Sequence, residues 1–208
     1  MNKVYLLSLC LLSILTRPTL AQNTLSVRSD TEGLQLTAFG GLSNWSSDYF
    51  SNLDEAEPLG WGGGLQAGYG FTQRISVYLR YEGYSFKQKL EWDTYRMRNF
   101  GLGVRWHFSG TTQPLRPYLE AGYSSMSLLI EPVYFNGQLY PYSLTGGAFT
   151  GGAGLQGFIT PRFSLSLGLT GAFGSFGTFQ INNQSTNEKP DVTQIKVGLG
   201  LNYFISLD

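Results

Sequence analysis

The chain is poor in the residues that most chemistry needs. It has one cysteine and one histidine in 208 residues. Charged residues make up only 13%, against roughly 25% in an average globular domain. No stretch after the N-terminus holds 18 consecutive apolar residues, so no membrane-crossing helix is expected. The cysteine, Cys10, lies in an apolar segment that reads as a secretory leader. Lys3 supplies its positive start, Val4 to Leu15 its apolar core, and Pro18 followed by Thr19, Leu20 and Ala21 its cleavage region. Residues 1–21 are therefore expected to be removed. The protein that remains then has no thiol and no disulfide. Loss of Lys3 and Arg17 from 14 basic residues, set against 14 acidic ones, leaves a net charge of −2. That balance excludes an electrostatic case for nucleic acid. A metal centre is not expected from one histidine and scattered carboxylates, and no cofactor site is expected.

Glycine and aromatics are abundant. There are 27 glycines, and aromatics reach 15%. Their placement is regular. From Thr193 onward, Ile195, Val197, Leu199, Leu201, Tyr203 and Ile205 alternate with Gln194, Lys196, Gly198, Gly200 and Asn202. A period of two marks a strand with one apolar face. The same alternation recurs across 33–44, 59–71, 75–86, 94–108, 117–128, 143–159 and 163–174. That makes eight strands after a polar lead-in, 22–32. The connections alternate between long and short. The predicted long loops are 45–58, 87–93, 129–142 and 175–190, and the short turns are 72–74, 109–116 and 160–162. An even number of alternating strands, with short turns at one end and long loops at the other, predicts an eight-stranded antiparallel up-and-down transmembrane β-barrel. The barrel domain is expected over 33–208, with both termini periplasmic and the long loops outside.

Outward aromatics fall near strand ends, as interfacial girdles do. Tyr69, Phe71, Trp106, Phe108, Phe163 and Tyr203 are expected at the periplasmic side, and Trp61, Phe149 and Phe173 at the external side. Inward positions read mainly Gly, Ser, Gln, Arg and Glu. Hairpin counting puts Gln66, Arg80, Glu82, Arg105 and Glu120 at one level of the lumen, where lone charges are costly and paired ones are satisfied. A charge-paired plug is expected there. The alternative is a catalytic carboxylate pair. Two flanking arginines disfavour it, because they keep both acids ionised.

Two motifs compete with this reading. Gly152-Ala153-Gly154-Leu155-Gln156-Gly157 matches G-x-G-x-x-G, but a strand and turn follow it instead of a helix, so no dinucleotide site is expected. Inward glycines leave room in a narrow lumen instead. His107-Phe108-Ser109 resembles the His-x-Ser of outer-membrane lipid A deacylases. Here no acid is placed to orient His107, and a triad needs all three groups in reach. No catalytic residue is assigned.

With these residues in view, the chain resembles the small outer-membrane β-barrel superfamily that includes the OmpA transmembrane domain and OmpX. The most specific element is the terminal strand. Lys196, Gly198, Leu201 and Tyr203 are similar to the signal read by the barrel assembly machinery, although the chain continues to Asp208. The resemblance implies an outer-membrane location, contact with membrane lipids and lipopolysaccharide, and a monomer. An eight-stranded barrel holds little more than its own side chains. The expected role is a structural anchor that presents surface loops to an unidentified partner. A lipid-active enzyme, or a carrier of small hydrophobic ligands, is the alternative. A carrier would need an apolar inner patch, which the inward residues do not suggest.

Overall fold

The computed structural model describes residues 28–47, 59–87, 94–135, 138–181, 184–186 and 189–205. The proposed leader, most of the lead-in and most of the first and second long loops lie outside the described residues. The strands are β1 (Gly33–Ser46), β2 (Leu59–Gly70), β3 (Ile75–Phe86), β4 (Thr94–His107), β5 (Leu115–Phe135), β6 (Gln138–Thr160), β7 (Phe163–Ile181), β8 (Gln184–Thr186) and β9 (Asp191–Ile205). Each long strand runs antiparallel to its sequence neighbours. The terminal β9 pairs with β7 on one side and β1 on the other, which closes the sheet. Closure leaves no unpaired edge, which is what a sheet needs in lipid. The short β8 pairs only with the end of β7 and stands outside the ring of eight.

The alternation sets the two faces. Outward residues such as Leu65, Leu102, Leu165 and Leu199 are exposed. Their inward neighbours Gln66, Ser164, Ser166 and Asn202 are buried. Gly33 enters β1 with a φ of 89°, a backbone conformation that glycine adopts without strain.

Two expected loops are strand instead. β5 continues to Phe135 and β6 begins at Gln138, so the 129–142 loop is the top of a long hairpin. β7 runs to Ile181, and β8 occupies part of the expected 175–190 loop. Pro132 lacks a donor for the ladder, and the β5–β6 register shifts between Ile130 and Val133, so the strand accommodates it as an irregularity. Crossing a bilayer takes about 9–11 residues of tilted strand. With 21 residues in β5 and 23 in β6, the far halves stand beyond the membrane.

There the polarity of the two faces inverts. Above the apolar band, outward positions become Asn44, Ser46, Ser85, Arg96, Arg98, Ser125, Ser127 and Ser175. Inward positions at that height become Trp45, Tyr84, Phe86, Tyr95, Met97, Met126, Leu128, Leu144 and Phe176, which form one buried cluster. The expectation that inward positions are mainly Gly, Ser, Gln, Arg and Glu therefore fails at this height. One zone of the barrel is built for lipid outside and a polar lumen, the other for water outside and an apolar core. Through Ile130 on β5 and Phe176 on β7 the alternation continues and only its sign changes.

Candidate functional site

The lumen is the site to which the buried polar residues converge. Glu120 on β5 lies at its centre. Its Oε1 accepts from Arg80 Nη1 at 3.0 Å and from the Thr170 hydroxyl at 3.1 Å. Its Oε2 accepts from Arg80 Nη2 at 2.9 Å and Arg105 Nη2 at 2.8 Å. Arg80 also donates to Gln66 Oε1 from Nε and Nη2, at 3.0 and 2.8 Å. Two tyrosines complete the layer. The Tyr78 ring lies beneath both guanidiniums, 4.7 Å from that of Arg80 and 5.7 Å from that of Arg105, and the Tyr118 ring lies 4.2 Å from the Arg105 guanidinium. These aromatic faces attract the cations while shielding them from solvent.

The expected four-member ion cluster is divided in two. Arg80, Arg105 and Glu120 meet. Glu82 instead ion-pairs with Lys196 across the lumen, and its Oε1 also accepts from Asn99 at 3.0 Å. The cause is register. β3 pairs with β4 so that Arg80 faces Gly101, while Arg105 faces Ser76. Hairpin counting across the undescribed 88–93 connection predicts Arg80 near Arg105 with Glu82 diagonal to it; the two arginines do share Glu120, and Glu82 is the residue that lies apart. The Gln66–Arg80 and Arg105–Glu120 pairs lie directly across their ladders, because short turns leave little freedom in register. Lys196, a residue of the expected assembly signal, forms an ion pair that hairpin counting does not reach. Its partner lies six strands away in sequence order and is adjacent only through closure of the barrel.

Polar residues continue the network on both sides. Asn99 donates to Gln194 at 2.9 Å, and Gln194 to Ser43 at 2.8 Å. Toward the tight-turn end, the Thr37 hydroxyl donates to Asn202 at 2.9 Å. A cavity of about 50 Å³ borders Gln66, Arg80, Glu82, Glu120 and Lys196, which is room for a few waters. Gln66 Nε2 and Arg105 Nη1 have no protein partner, and water would satisfy them.

The tight-turn mouth is crossed by the lead-in. Arg28 and Ser29 amides bond to Thr111 O at 2.9 and 3.0 Å, the Asp30 amide to Pro161 O at 3.0 Å, and the Thr31 amide to Gln73 Oε1 at 3.0 Å. One strap thus ties all three tight turns together. Arg116, fully buried, anchors it by donating to Thr31 Oγ1 at 3.0 Å and to the Gln73 carbonyl.

The remaining motif residues have structural surroundings. Gly154 lies mid-strand in β6, and a Cβ there would meet the Tyr118 ring at 2.4 Å. The G-x-G-x-x-G match is room for a lumen aromatic, with no helix to cradle a phosphate. His107 Nε2 is 2.8 Å from Gln156 Oε1, and the ring lies against Tyr118. Gln156 donates onward to Ser164 at 2.7 Å. Among the described residues no cluster of three metal-ligating side chains occurs. Gly198 sits between Gly41 and Gly168, and Leu201 and Tyr203 face lipid. The outward aromatics Tyr69, Phe71, Trp106, Phe108, Trp61, Phe149 and Phe173 are exposed, and Phe163 is half-buried beside Tyr203. Trp106 stacks on Phe108 at 5.5 Å, and Tyr123 meets Phe149 edge-on at 5.4 Å.

A closed antiparallel barrel that is apolar outside and polar within defines an integral outer-membrane β-barrel protein. Residues 17–108 match the family described as outer membrane protein beta-barrel domain. No curated protein matches the chain. Among solved structures, Neisserial surface protein A aligns with a TM-score of 0.62 at 16% identity, covering 84% of this chain and 98% of that one. OprG from Pseudomonas aeruginosa aligns with a TM-score of 0.55 at 12% identity, covering 86% and 100%. The chain thus has the fold of the small eight-stranded outer-membrane β-barrels, and its N-terminal part is similar to that family.

Proposed function

We propose that the protein is a closed-lumen anchor, with both termini periplasmic and the long-strand end raised above the cell surface to meet partners. The observation that carries this reading is a set of side-chain bridges between strands that are not neighbours. Arg80 on β3 reaches Glu120 on β5, Asn99 on β4 reaches Gln194 on β9, and Trp45 on β1 donates to Tyr95 on β4 at 2.6 Å. Such bridges cross the bore and block a continuous aqueous path. The strap closes one mouth and the apolar cluster fills the other end. A rigid closed frame suits surface presentation, where binding residues sit at one end of a scaffold.

The carrier reading has one observation behind it, the apolar interior at the long-strand end. Its side chains fill that space themselves: Met97, Leu128, Leu144 and Phe176 are fully enclosed. Planar-bilayer recording and liposome swelling test the main reading. The expected outcome is no conductance step and no sugar flux. Flux of small sugars at porin-like rates would end it.

A further inference from the structure

The charges that meet inside the lumen do not balance. Among the described residues, three cations, Arg80, Arg105 and Lys196, face two anions, Glu82 and Glu120. All five line one cavity of about 50 Å³. Tyr84 and Tyr118, also at that cavity, are uncharged phenols. Lys196 and Glu82 neutralise each other. Glu120 carries one negative charge and serves both arginines. One positive charge is therefore left over in the Arg80–Glu120–Arg105 group. A buried charge without a counter-charge is costly.

Free hydrogen-bond donors show where the surplus falls. Arg105 gives Nε and Nη2 to Glu120 Oε2, at 3.3 and 2.8 Å, and its Nη1 has no protein partner. Gln66 is oriented by Arg80, which donates twice to its Oε1. The Gln66 amide nitrogen is thereby fixed as a donor, and it too has no protein partner. Both residues are only 3% exposed, and both line the cavity. Ser166 lines it as well. Its Oγ accepts from Asn202 at 3.2 Å, which leaves its own proton to be given elsewhere. Inward Gly168, Gly198 and Gly200 add no side chain to fill the space.

Water satisfies a free donor but brings no charge. We infer that the cavity holds one small monovalent anion, of chloride size, against Arg105 and Gln66. The surplus is a single charge, so a divalent anion would exchange one imbalance for the opposite one. Room for a few waters suits a halide with water beside it. The ion is enclosed as the barrel closes, because Lys196 and the bare positions Gly198 and Gly200 join the site only when β9 meets β1. An ion held by the closed barrel and released by the open one stabilises closure by linkage.

Refolding in different salts tests the site. The purified full chain is unfolded in urea and refolded into detergent with chloride, bromide or gluconate as the only anion, at one ionic strength. Gluconate is too large for the cavity. Heat-modifiable gel mobility reads the unfolding rate at fixed temperature. Unfolding is expected to be at least about tenfold slower in either halide than in gluconate, the effect of a ligand at roughly ten times its Kd. Crystals of the bromide-refolded protein are expected to show one anomalous bromide peak beside Arg105. Q66E supplies the missing negative charge in the same shape. It should unfold slowly in all three salts and show no bromide peak. R105Q removes the surplus cation instead, and should likewise lose both the peak and the salt dependence. A wild-type lumen without bromide would overturn the proposal. So would a halide effect undiminished in both variants. A peak with no effect on unfolding would mean an adventitious ion only, and would overturn it too. Neither readout depends on orientation or conductance, so failure here leaves the anchor reading untouched.

Discussion

Glu120 shows how much one residue can hold. It is the shared acceptor for two arginines and a threonine, and all three donors come from other strands. Replacing it with alanine leaves Arg80 and Arg105 facing each other without a counter-charge. Breaking a buried pair in this way costs about 3–5 kcal/mol. The neighbouring cavity of about 50 Å³ can admit water to the stranded guanidiniums, so Glu120→Ala is expected near the lower bound, ~3 kcal/mol. Urea unfolding in lipid vesicles measures this. A loss below ~1 kcal/mol, the value of a solvated surface pair, would show that the layer is wet. Leu128 tests the other layer. It has no exposed surface, and Leu128→Ala is expected to cost ~2–5 kcal/mol as a cavity-forming truncation. The same measurement reads both.

At the scale of the strand, the inversion of polarity makes a depth-dependent prediction. Leu102 and Ser127 are both outward, on neighbouring strands. Leu102 lies within the apolar band, while Ser127 pairs with Arg98 above it. Arginine facing lipid at the midplane costs ~2–4 kcal/mol, and near the interface ~0–1. Leu102→Arg should therefore destabilise by the larger amount and Ser127→Arg by the smaller. Equal costs would mean that the band extends to the top of β5. The same inversion explains why β5 and β6 keep pairing far past the membrane. Their inward Met126, Leu128, Ile130 and Leu144 are buried against one another and against β7. That gives the extension an apolar core of its own.

For the whole molecule, closure is the decisive event. β9 brings Lys196 to Glu82, and Gln194 to Asn99 and Ser43, contacts that exist only when the first and last strands meet. The strap then joins the three tight turns at one mouth. The proposed orientation is tested with single cysteines. S127C is expected to react with a membrane-impermeant maleimide on intact cells, and Q113C only after the outer membrane is breached. The reverse pattern would invert the topology and put the extended hairpins in the periplasm.

The alternation of residue types determined most of this fold. Eight strands, their facing in the membrane zone, the tight turns and the pairings across those turns were all legible, because a period of two assigns each side chain to a face and a short turn sets register. Gln66 opposite Arg80 and Arg105 opposite Glu120 follow from that rule alone. The tertiary structure decided what crosses longer distances. The β3–β4 register across an undescribed connection offset Arg80 from Arg105 along the ladder, so that they meet only through Glu120. Closure gave Lys196 to Glu82. Residues 28–32, which carry no pattern, became a strap because three turns present carbonyls and a glutamine at the same mouth. The apolar upper core was hidden for a different reason. Periodicity reports that two faces differ, but not where along a strand the apolar face changes side; only the closed barrel shows that the apolar face, outward around Leu102, turns inward at Leu128.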